Sequence, residues 1–402
     1  MSDRKVLKEY STELAAELQN ILQYWMQYSI DETNNGFTGR IDDNNKIDAS
    51  APKGAVLNAR ILWTFAATYN QTGQLNYLAN ADRAYNYLQQ HFIDKEWGGI
   101  YWSVNYKGEP LDTKKQIYAL AFLQYACSEY YQCNQLPEAK DLAIELYELI
   151  EKYSFDKVSG GYFEAFSRDW KMIGDVRLSA KDANEKKTMN THLHVLESYT
   201  NLYRIWPDEN LKKSIELLIG NFLSYIFNTS NNHLDLFFDE QWVSKNNIIS
   251  YGHDIEAAWL IQEAAEVIHD EVLITKAKAA SIKLAVAAEE GLGEDGGLWY
   301  EKENGHLIKQ NHWWPQAEAM VGFFNAWQVS KEERFLQRSL ESWAFVKNKI
   351  IDKVNGEWLW GIDENDKAMM GEDKAGLWKC PYHNARACIE IIKRIHSLEI
   401  KQ

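Results

Sequence analysis

Apolar residues recur at helical spacing in paired segments along the chain. Between residues 56 and 66 they follow a period of 3.6, Gly73 interrupts the pattern, and a second stripe runs from Leu78 to Leu88. Each pair of stripes predicts two antiparallel helices joined by a short turn. The same pattern predicts four further pairs, at 115–133 with 137–153, 189–206 with 209–227, 251–269 with 271–289, and 314–329 with 332–350.

Glycine–aromatic clusters separate these helix pairs and recur with a nearly constant period. The clusters begin at residues 36, 98, 160, 233, 296 and 356, so their intervals are 62, 62, 73, 63 and 60 residues. Gly98-Gly99-Ile100-Tyr101-Trp102 is typical, and His233-Leu234-Asp235-Leu236-Phe237-Phe238 is a degenerate copy. A constant period of this length indicates a repeat architecture. We expect the clusters to form short hairpins at one rim.

The number of predicted helices favours a closed ring. Five pairs leave one unpaired helix at each end of the chain, at about 4–29 and 381–397. These two would form a sixth pair if the ring closed. The sequence therefore predicts an all-α fold, an (α/α)6 barrel of six inner and six outer helices, as a single catalytic domain over residues 1–402. The alternative is an open solenoid, which usually caps its ends instead of leaving complementary half-units.

Composition narrows the classes of function. The formal charge is −15 and no stripe of Lys and Arg occurs, so nucleic acid is not an expected partner. The chain has 16 Trp, 22 Tyr and 15 Phe, more flat aromatic side chains than a core needs and typical of sugar-binding clefts.

The expected compartment is the cytoplasm. No run of about 18 apolar residues could span a membrane, so no membrane partner is expected. The N-terminus lacks the apolar core of a signal peptide. The four cysteines form no CxxC pair, and a chain of this length does not need disulfides, so we expect them to be reduced.

Polar and aromatic residues recur with the same period, near the start of the first helix of each unit. In a closed ring they would face the same end of one cavity. A lone histidine on an apolar helix is more often a hydrogen-bonded core residue than a catalyst, and only the shared period makes the set a candidate site. Its members are Arg60, Tyr118, Asn190 with His194, His253 with Glu256, Trp314 with Glu318, and Trp378 with His383.

Histidines in such a set are suited to proton transfer near neutral pH. His253 and His383 would lie on different walls, where they could remove and return a proton on opposite faces of one carbon. Arg60 could stabilise the negative charge of an enediolate. Trp314 and Trp378 would offer stacking surfaces to pyranose rings. His192 points away from the face shared by Asn190 and His194, so we expect it to be structural.

Metal and nucleotide sites have no motif in this chain. There is no HExxH, no Cys/His cluster with zinc spacing and no phosphate loop. The glycine-rich segment 291–297 precedes an aromatic cluster instead of a helix, which indicates a turn. We therefore expect no metal and no cofactor.

Four segments resemble a known family. Residues 189–197, 251–257, 313–319 and 378–384 read MNTHLHVLE, YGHDIEA, WWPQAEA and WKCPYHN, and residues 57–63 read LNARILW. These motifs, in this order, are similar to those of the N-acylglucosamine 2-epimerase superfamily and, within it, of the cellobiose 2-epimerases. The resemblance runs over essentially the whole chain.

The resemblance implies an (α/α)6 barrel that works without metal. The implied reaction inverts C2 of the reducing-end glucose of cellobiose- or lactose-type β-1,4 disaccharides through ring opening and a cis-enediol. It also implies the site: His253 and His383 as the acid/base pair, His194 assisting at the ring oxygen or enediol, Arg60, Tyr118, Asn190 and Glu256 holding hydroxyls, and Trp314 and Trp378 stacking the sugars. We expect a small-molecule sugar as the only partner and a monomer.

Three other functions stay open at this point. A mannose/glucose 2-epimerase or an aldose–ketose isomerase would use the same two histidines on free monosaccharides. An (α/α)6 glycoside hydrolase needs a pair of carboxyl groups around the scissile bond. A non-catalytic glycan-binding protein would need the aromatic residues but not three histidines. The carboxyl candidates for a hydrolase are Asp182, Asp254, Glu256 and Glu318.

Overall fold

The fold consists of helices joined by short turns and very short strands. The structure is a computed structural model that describes residues 3–245 and 247–400. Within these residues lie twelve α-helices: α1 Asp3–Tyr28, α2 Ala55–Thr72, α3 Leu75–His91, α4 Ile117–Asn134, α5 Pro137–Tyr153, α6 Met189–Ile205, α7 Glu209–Asn221, α8 Tyr251–Val267, α9 Glu271–Ala288, α10 Trp313–Ser330, α11 Glu333–Phe345 and α12 Tyr382–Ile400. None of these helices is both long and apolar enough to cross a membrane.

The even-numbered helices form a closed inner ring. Each packs against the next in the order α2, α4, α6, α8, α10, α12, and α12 packs against α2. The odd-numbered helices lie outside, each against one inner helix, and α1 packs on α12 to make the sixth pair. The predicted (α/α)6 barrel is therefore confirmed, and the open solenoid is excluded.

Hydrophobic patterning separates inner from outer helices. In α2 every residue from Ala55 to Thr68 is buried, because the helix has neighbours on all sides. The outer helix α5 buries only one stripe, which includes Leu142, Leu146 and Ile150. Inner positions hold the residues that line the centre of the ring, including buried polar ones.

The predicted hairpins lie at one rim, where each outer helix returns to the ring. Each turn is closed by a single antiparallel bridge, Ile30–Phe37, Ile93–Ile100, Phe155–Tyr162, Phe227–Leu234, Leu292–Leu298 and Ile351–Trp358. Glycine is required where these turns meet bulky neighbours. Gly161 has a φ of +79°, and a Cβ there would lie 2.4 Å from the Trp242 ring.

Short antiparallel strands link each unit to the next around the rim. The strand before an inner helix pairs with the strand after the following turn, in the pairs β1–β2, β4–β5, β6–β7, β8–β9 and β11–β12, while β3 and β10 extend two of them. A bridge between Ile41 and Ala375 joins the last unit to the first. The strands are β1 Lys53–Gly54, β2 Ser103–Val104, β3 Pro110–Asp112, β4 Lys115–Gln116, β5 Ala165–Phe166, β6 Lys187–Thr188, β7 Phe237–Phe238, β8 Ile248–Ser250, β9 Glu301–Glu303, β10 His306–Ile308, β11 Asn311–His312 and β12 Gly361–Ile362.

Buried lysines fasten four of the six turns to the ring. Each lysine precedes an inner helix and forms an ion pair of 2.7–2.8 Å with the aspartate that opens a turn. Three of them also donate to a carbonyl oxygen in the same turn. We call these pairs the rim clasps: Lys53–Asp31, Lys115–Asp94, Lys187–Asp156 and Lys374–Asp352. In the degenerate fourth turn, His233 Nδ1 instead lies 2.7 Å from Asp254 Oδ2.

Candidate active site

The structure places all nine of the predicted site residues near the N-terminal ends of inner helices. They form two groups on opposite sides of the ring. Arg60, Tyr118, His194 and Trp378 contact one another on one side. His253, Glu256, Trp314 and His383 form the other group. Asn190 lies one turn before His194 on α6, with a buried Oδ1 that has no hydrogen-bond partner.

The first group surrounds a buried arginine. Arg60 donates to the hydroxyl of Tyr118 at 2.8 Å, and its guanidinium carbon lies 4.1 Å from the centre of the Phe122 ring. Among residues 3–245 and 247–400 it forms no ion pair with a carboxylate, and its Nε has no partner. A buried cation without a counter-ion is suited to hold developing negative charge on a bound molecule.

The second group places two histidines beside one tryptophan. Trp314 on α10 lies between α8 and α12, with its ring centre 4.7 Å from that of His253 and 5.8 Å from that of His383. Glycine at position 252 makes this approach feasible, since a Cβ there would lie 2.6 Å from the Trp314 ring. The two imidazoles therefore flank a common aromatic surface from different helices.

Hydrogen bonds orient all three histidines from their Nδ1 side. His383 Nδ1 donates to Glu318 at 2.7 Å, and His194 Nδ1 donates to Glu197 at 2.9 Å. His253 Nδ1 lies 2.8 Å from the hydroxyl of Ser250. A carboxylate can only accept, so the Nε2 atoms of His194 and His383 keep free lone pairs.

Burial keeps these histidines neutral. It lowers the pKa of His253 to about 3, with a smaller contribution from His194. It also lowers the pKa of His383 to about 3, although the carboxylate of Glu318 acts in the opposite direction. Burial lowers the pKa of His194 as well. At neutral pH each imidazole can therefore accept a proton, as a general base must.

A single arginine holds the carboxylates beneath the histidines. Arg386 on α12 is 1% exposed and donates to Glu256 at 2.7 Å, to Glu318 at 2.6 Å, and also to Glu197 and the hydroxyl of Tyr382. Helices α6 and α12 lie opposite each other in the ring, so the contact between Glu197 and Arg386 crosses its centre. We call these five residues the Arg386 network, and they form the floor of the site.

The carboxyl groups of this network differ in charge. Burial disfavours ionisation of Glu318, but Arg386 and the hydrogen bond from His383 outweigh it and lower its pKa to about 2. The pKa of Glu197 is also lowered to about 2, because Arg386 and His194 outweigh burial. Burial and the charge of Glu318 raise the pKa of Glu256 to about 8. At neutral pH the floor therefore holds two carboxylates and one neutral carboxyl group.

Glu256 does not orient His253, although the two are three residues apart on α8. The structure shows Glu256 bonded to Arg386 and His253 bonded to Ser250. The side chains of Glu256 and His253 diverge because the guanidinium of Arg386 attracts the carboxyl group towards the centre of the ring.

The cluster of Glu256, Glu318 and His383 does not fit a metal ion. Their ligand atoms lie within 4.8 Å of one another. However, the Oε1 atoms of both glutamates accept from the same nitrogen of Arg386, and His383 Nδ1 donates to Glu318. The guanidinium already occupies the position that a cation would take.

Other residues singled out from the sequence lie outside the centre. His192 contacts the third turn, where it accepts from the backbone N–H of Tyr162 at 2.9 Å, which fits the structural role expected of it. Asp254 binds His233, and Asp182 accepts from the backbone of Ser179.

Sequence reasoning missed Glu197 and Arg386 and gave Glu318 no role at a histidine. A usable signal existed for two of them, because Glu197 follows His194, and Arg386 follows His383, by three residues on an inner helix. Ser250 precedes its helix and carries no comparable signal. Its role depends on the path of the chain into α8.

The fold and the site together define an (α/α)6-barrel enzyme whose neutral imidazoles can accept protons from a bound molecule. The model of the N-acylglucosamine 2-epimerase (GlcNAc 2-epimerase) family matches residues 36–387, and the chain belongs to this family. A relative named cellobiose 2-epimerase from Bacteroides fragilis is 49% identical and covers 96% of this chain and 99% of the relative.

Two further comparisons also cover nearly the whole chain. A protein named cellobiose 2-epimerase from Dictyoglomus turgidum is 43% identical and covers 98% of this chain and 100% of that protein. The solved structure of cellobiose 2-epimerase from Bacillus thermoamylovorans superposes with a TM-score of 0.92 at 41% identity, covering 96% of this chain and all of that one. The similarity thus includes every unit of the ring.

Proposed function

We propose that the protein inverts C2 of the reducing-end glucose of cellobiose- or lactose-type disaccharides, giving the mannose epimer. The observation that carries this proposal is the pair of neutral histidines, His253 and His383, on either side of Trp314. Inversion next to a carbonyl needs one base on each face of the carbon. The names of the relatives in Bacteroides fragilis and Dictyoglomus turgidum support the choice of a disaccharide.

Ring opening comes first. It removes the proton of the anomeric hydroxyl and adds one to the ring oxygen. One of the two histidines takes the proton of the anomeric hydroxyl. The neutral carboxyl group of Glu256 donates its proton to the ring oxygen and becomes a carboxylate. His194 offers a third free Nε2 close to the same oxygens and assists at the ring oxygen or the enediol.

Inversion then uses the two histidines in opposite roles. The neutral histidine removes the C2 proton, and the electron pair moves to the carbonyl oxygen to give a cis-enediolate. The histidine that became charged during ring opening returns its proton to C2 from the other face. During ring closure the former ring oxygen returns its proton to Glu256. The histidine that removed the C2 proton gives that proton to the anomeric oxygen, so all groups return to their initial state.

Positive charge stabilises the enediolate. Arg60 is buried without a carboxylate partner and hydrogen-bonds Tyr118, which fixes its direction. The N-terminal ends of the inner helices lie at the same end of the ring, and each carries a partial positive charge. Tyr118 and Asn190 hold sugar hydroxyls, Trp314 stacks on the reacting ring, and Trp378 stacks on the outer sugar.

The test is to incubate the protein with cellobiose, lactose, mannose and glucose in heavy water and to identify the products by NMR. We expect epimers of the disaccharides that carry deuterium at C2. Products from mannose or glucose alone would indicate a monosaccharide enzyme instead, and free glucose from cellobiose would indicate a hydrolase.

Variants separate the two bases. His253→Asn and His383→Asn should each lower epimerisation by more than about 10²-fold, the lower end of what general acid–base catalysis contributes. Each variant should exchange deuterium at C2 of one epimer only, and only slowly, because the sugar ring must then open without the missing histidine. His269→Asn, at the exposed end of α8, is the control and should be unchanged. Near-normal epimerisation in either active-site variant would contradict the two-base mechanism.

A further inference from the structure

Two of the three site histidines connect to the same side chain. His194 on α6 donates to Glu197, and His383 on α12 donates to Glu318. Both glutamates accept from Arg386, Glu197 from one terminal nitrogen and Glu318 from the other. Histidines on opposite sides of the ring are therefore linked through one guanidinium.

The guanidinium is needed to keep both glutamates ionised. Glu197, Glu256 and Glu318 are each 4% exposed or less, so water does not solvate their negative charge. Buried carboxylates close to one another ionise only where a cation compensates them. Arg386 is the cation that touches all three.

The charge of each glutamate decides which nitrogen of its histidine carries the proton. An ionised carboxylate accepts from Nδ1–H and leaves Nε2 with a lone pair towards the substrate. A protonated carboxyl group would donate to Nδ1 instead, and the neutral imidazole would then carry its proton on Nε2. A histidine in that tautomer cannot remove a proton from a sugar.

We propose that Arg386 is a positioning residue that fixes the tautomers of His194 and His383 together, by holding Glu197 and Glu318 as carboxylates. Its effect on turnover rests on the proposed function, whereas its effect on the tautomers does not. Arg386 touches no substrate and acts only through the two glutamates.

The shape of the side chain supports this assignment. The planar fork of arginine reaches Glu197 and Tyr382 with one nitrogen and Glu256 and Glu318 with the other, which the single nitrogen of lysine cannot do. The rings of Trp259 and Tyr382 lie 4.9 Å and 4.4 Å from the guanidinium carbon and keep it in place.

The experiment measures the ring nitrogens of ¹⁵N-histidine-labelled protein by NMR, together with kcat and KM for cellobiose. In the native protein we expect His194 and His383 to show protonated Nδ1 and unprotonated Nε2. In Arg386→Met both histidines should lose this pattern. Glu197→Gln and Glu318→Gln should each change only their own histidine, which assigns the signals.

Turnover should follow the tautomers. In folded Arg386→Met we expect kcat to fall by at least about 10²-fold, because the base is in the wrong form, while KM changes by less than about 3-fold. Arg394→Met is the matched control on α12, since Arg394 binds Asn325 and Gln328 further from the histidines. If Arg386→Met does not fold, Arg386→Lys is used, in which at least one histidine should lose the pattern.

Unchanged nitrogen signals in a folded Arg386 variant would overturn the proposal, as would the same change of both histidines in Arg394→Met. The outcomes separate this inference from the proposed function. A native protein without epimerase activity but with Arg386-dependent signals would refute the function alone. An active native protein whose signals do not depend on Arg386 would refute the positioning role alone.

Discussion

Glu256 and Glu318 bind the same nitrogen of Arg386 and yet differ in charge. Glu318 also accepts from His383 and from the indole N–H of Trp259, and these donors stabilise its carboxylate. Among the described residues, Glu256 accepts a hydrogen bond from Arg386 only, and it is buried beside the charge of Glu318, so its carboxyl group stays neutral near pH 7. A neutral acid and two neutral bases thus coexist within one small site.

This difference predicts an alkaline limit on activity. The pKa of Glu256 is raised to about 8, so the group is neutral below that pH and loses its proton as the pH rises through it. We expect kcat/KM for cellobiose to decline above about pH 8. Glu256→Gln keeps a donor that does not ionise, so its activity, although lower, should show no decline there. If kcat/KM of Glu256→Gln declined at alkaline pH as in the native protein, another group would cause that decline.

The proposed stacking of Trp378 on the outer sugar predicts a difference between disaccharides and monosaccharides. Its ring lies beside Trp102 and Tyr118, at 5.9 Å and 6.2 Å between centres, away from the two histidines that flank Trp314. Trp378→Ala should therefore weaken disaccharide turnover by about fivefold to tenfold, since stacking contributes on the order of 1 kcal/mol. Any turnover of mannose should change less. Equal losses on both sugars would place Trp378 at the reacting ring, and Trp97→Ala on the rim is the control.

The sequence identifies residues that face the site but not the residues that hold them. Arg60, His253 and His383 are predictable because the repeat places them at equivalent helix starts. The bond between His253 and Ser250 is not, because it depends on how the strand before α8 turns into the helix. Hydrogen-bond partners come from other units, and a period does not show which of several buried carboxyl groups will meet which cation.

At the scale of elements, the rim clasps explain how short turns stay in place. Each aspartate lies at the start of a turn, and each lysine precedes the inner helix to which the turn must be attached. The lysines at 53, 115 and 187 each lie two residues before an inner helix, so the sequence did contain this signal. It is easily missed because Lys is expected on the surface.

Breaking one clasp should destabilise the whole protein. Lys187→Met leaves the buried carboxylate of Asp156 without its cation, which should lower the free energy of unfolding by about 3–5 kcal/mol. Lys171→Met removes an exposed pair with Asp169 and should leave the free energy of unfolding nearly unchanged. Urea denaturation of both variants measures the difference, and equal effects would show that the clasps contribute no more than surface pairs.

Helices were predictable from the sequence, whereas their last turns were not. All five predicted pairs and both terminal helices are present, since inner and outer faces impose clear apolar patterns. However, α7 and α11 end in π-helical turns at Phe222–Ile226 and Val346–Ile350. These segments continue the apolar stripe, so periodicity alone does not distinguish them from α-helix. The two-residue strands are also too short to leave a pattern.

At the scale of the molecule, the first helix completes the outer layer of the barrel. The indole N–H of Trp25 donates to Glu357 and that of Trp358 donates to Glu17, so α1 is fastened to the last turn. Because α1 also covers α12, it protects the helix that carries His383 and Arg386.

Removal of α1 should therefore abolish activity although it contains no site residue. We expect the full chain to unfold in a single cooperative thermal transition, and a chain that begins at residue 31 to lose this transition and epimerisation with it. Calorimetry and the NMR assay measure both. An open array of repeats would lose one unit and keep the rest, so a truncated chain with a nearly native melting temperature would contradict this prediction.

The contact between α1 and α12 has a consequence for how the chain can be rearranged. The rim end of α1 and the start of α12 both lie at the mouth, so the other ends of these two packed helices both lie at the opposite end of the barrel. A short linker between them, with a new break at the open turn around Gly73, would give a circular permutant with the same ring and the same mouth. The same ring would therefore form from chains in which a different unit comes first.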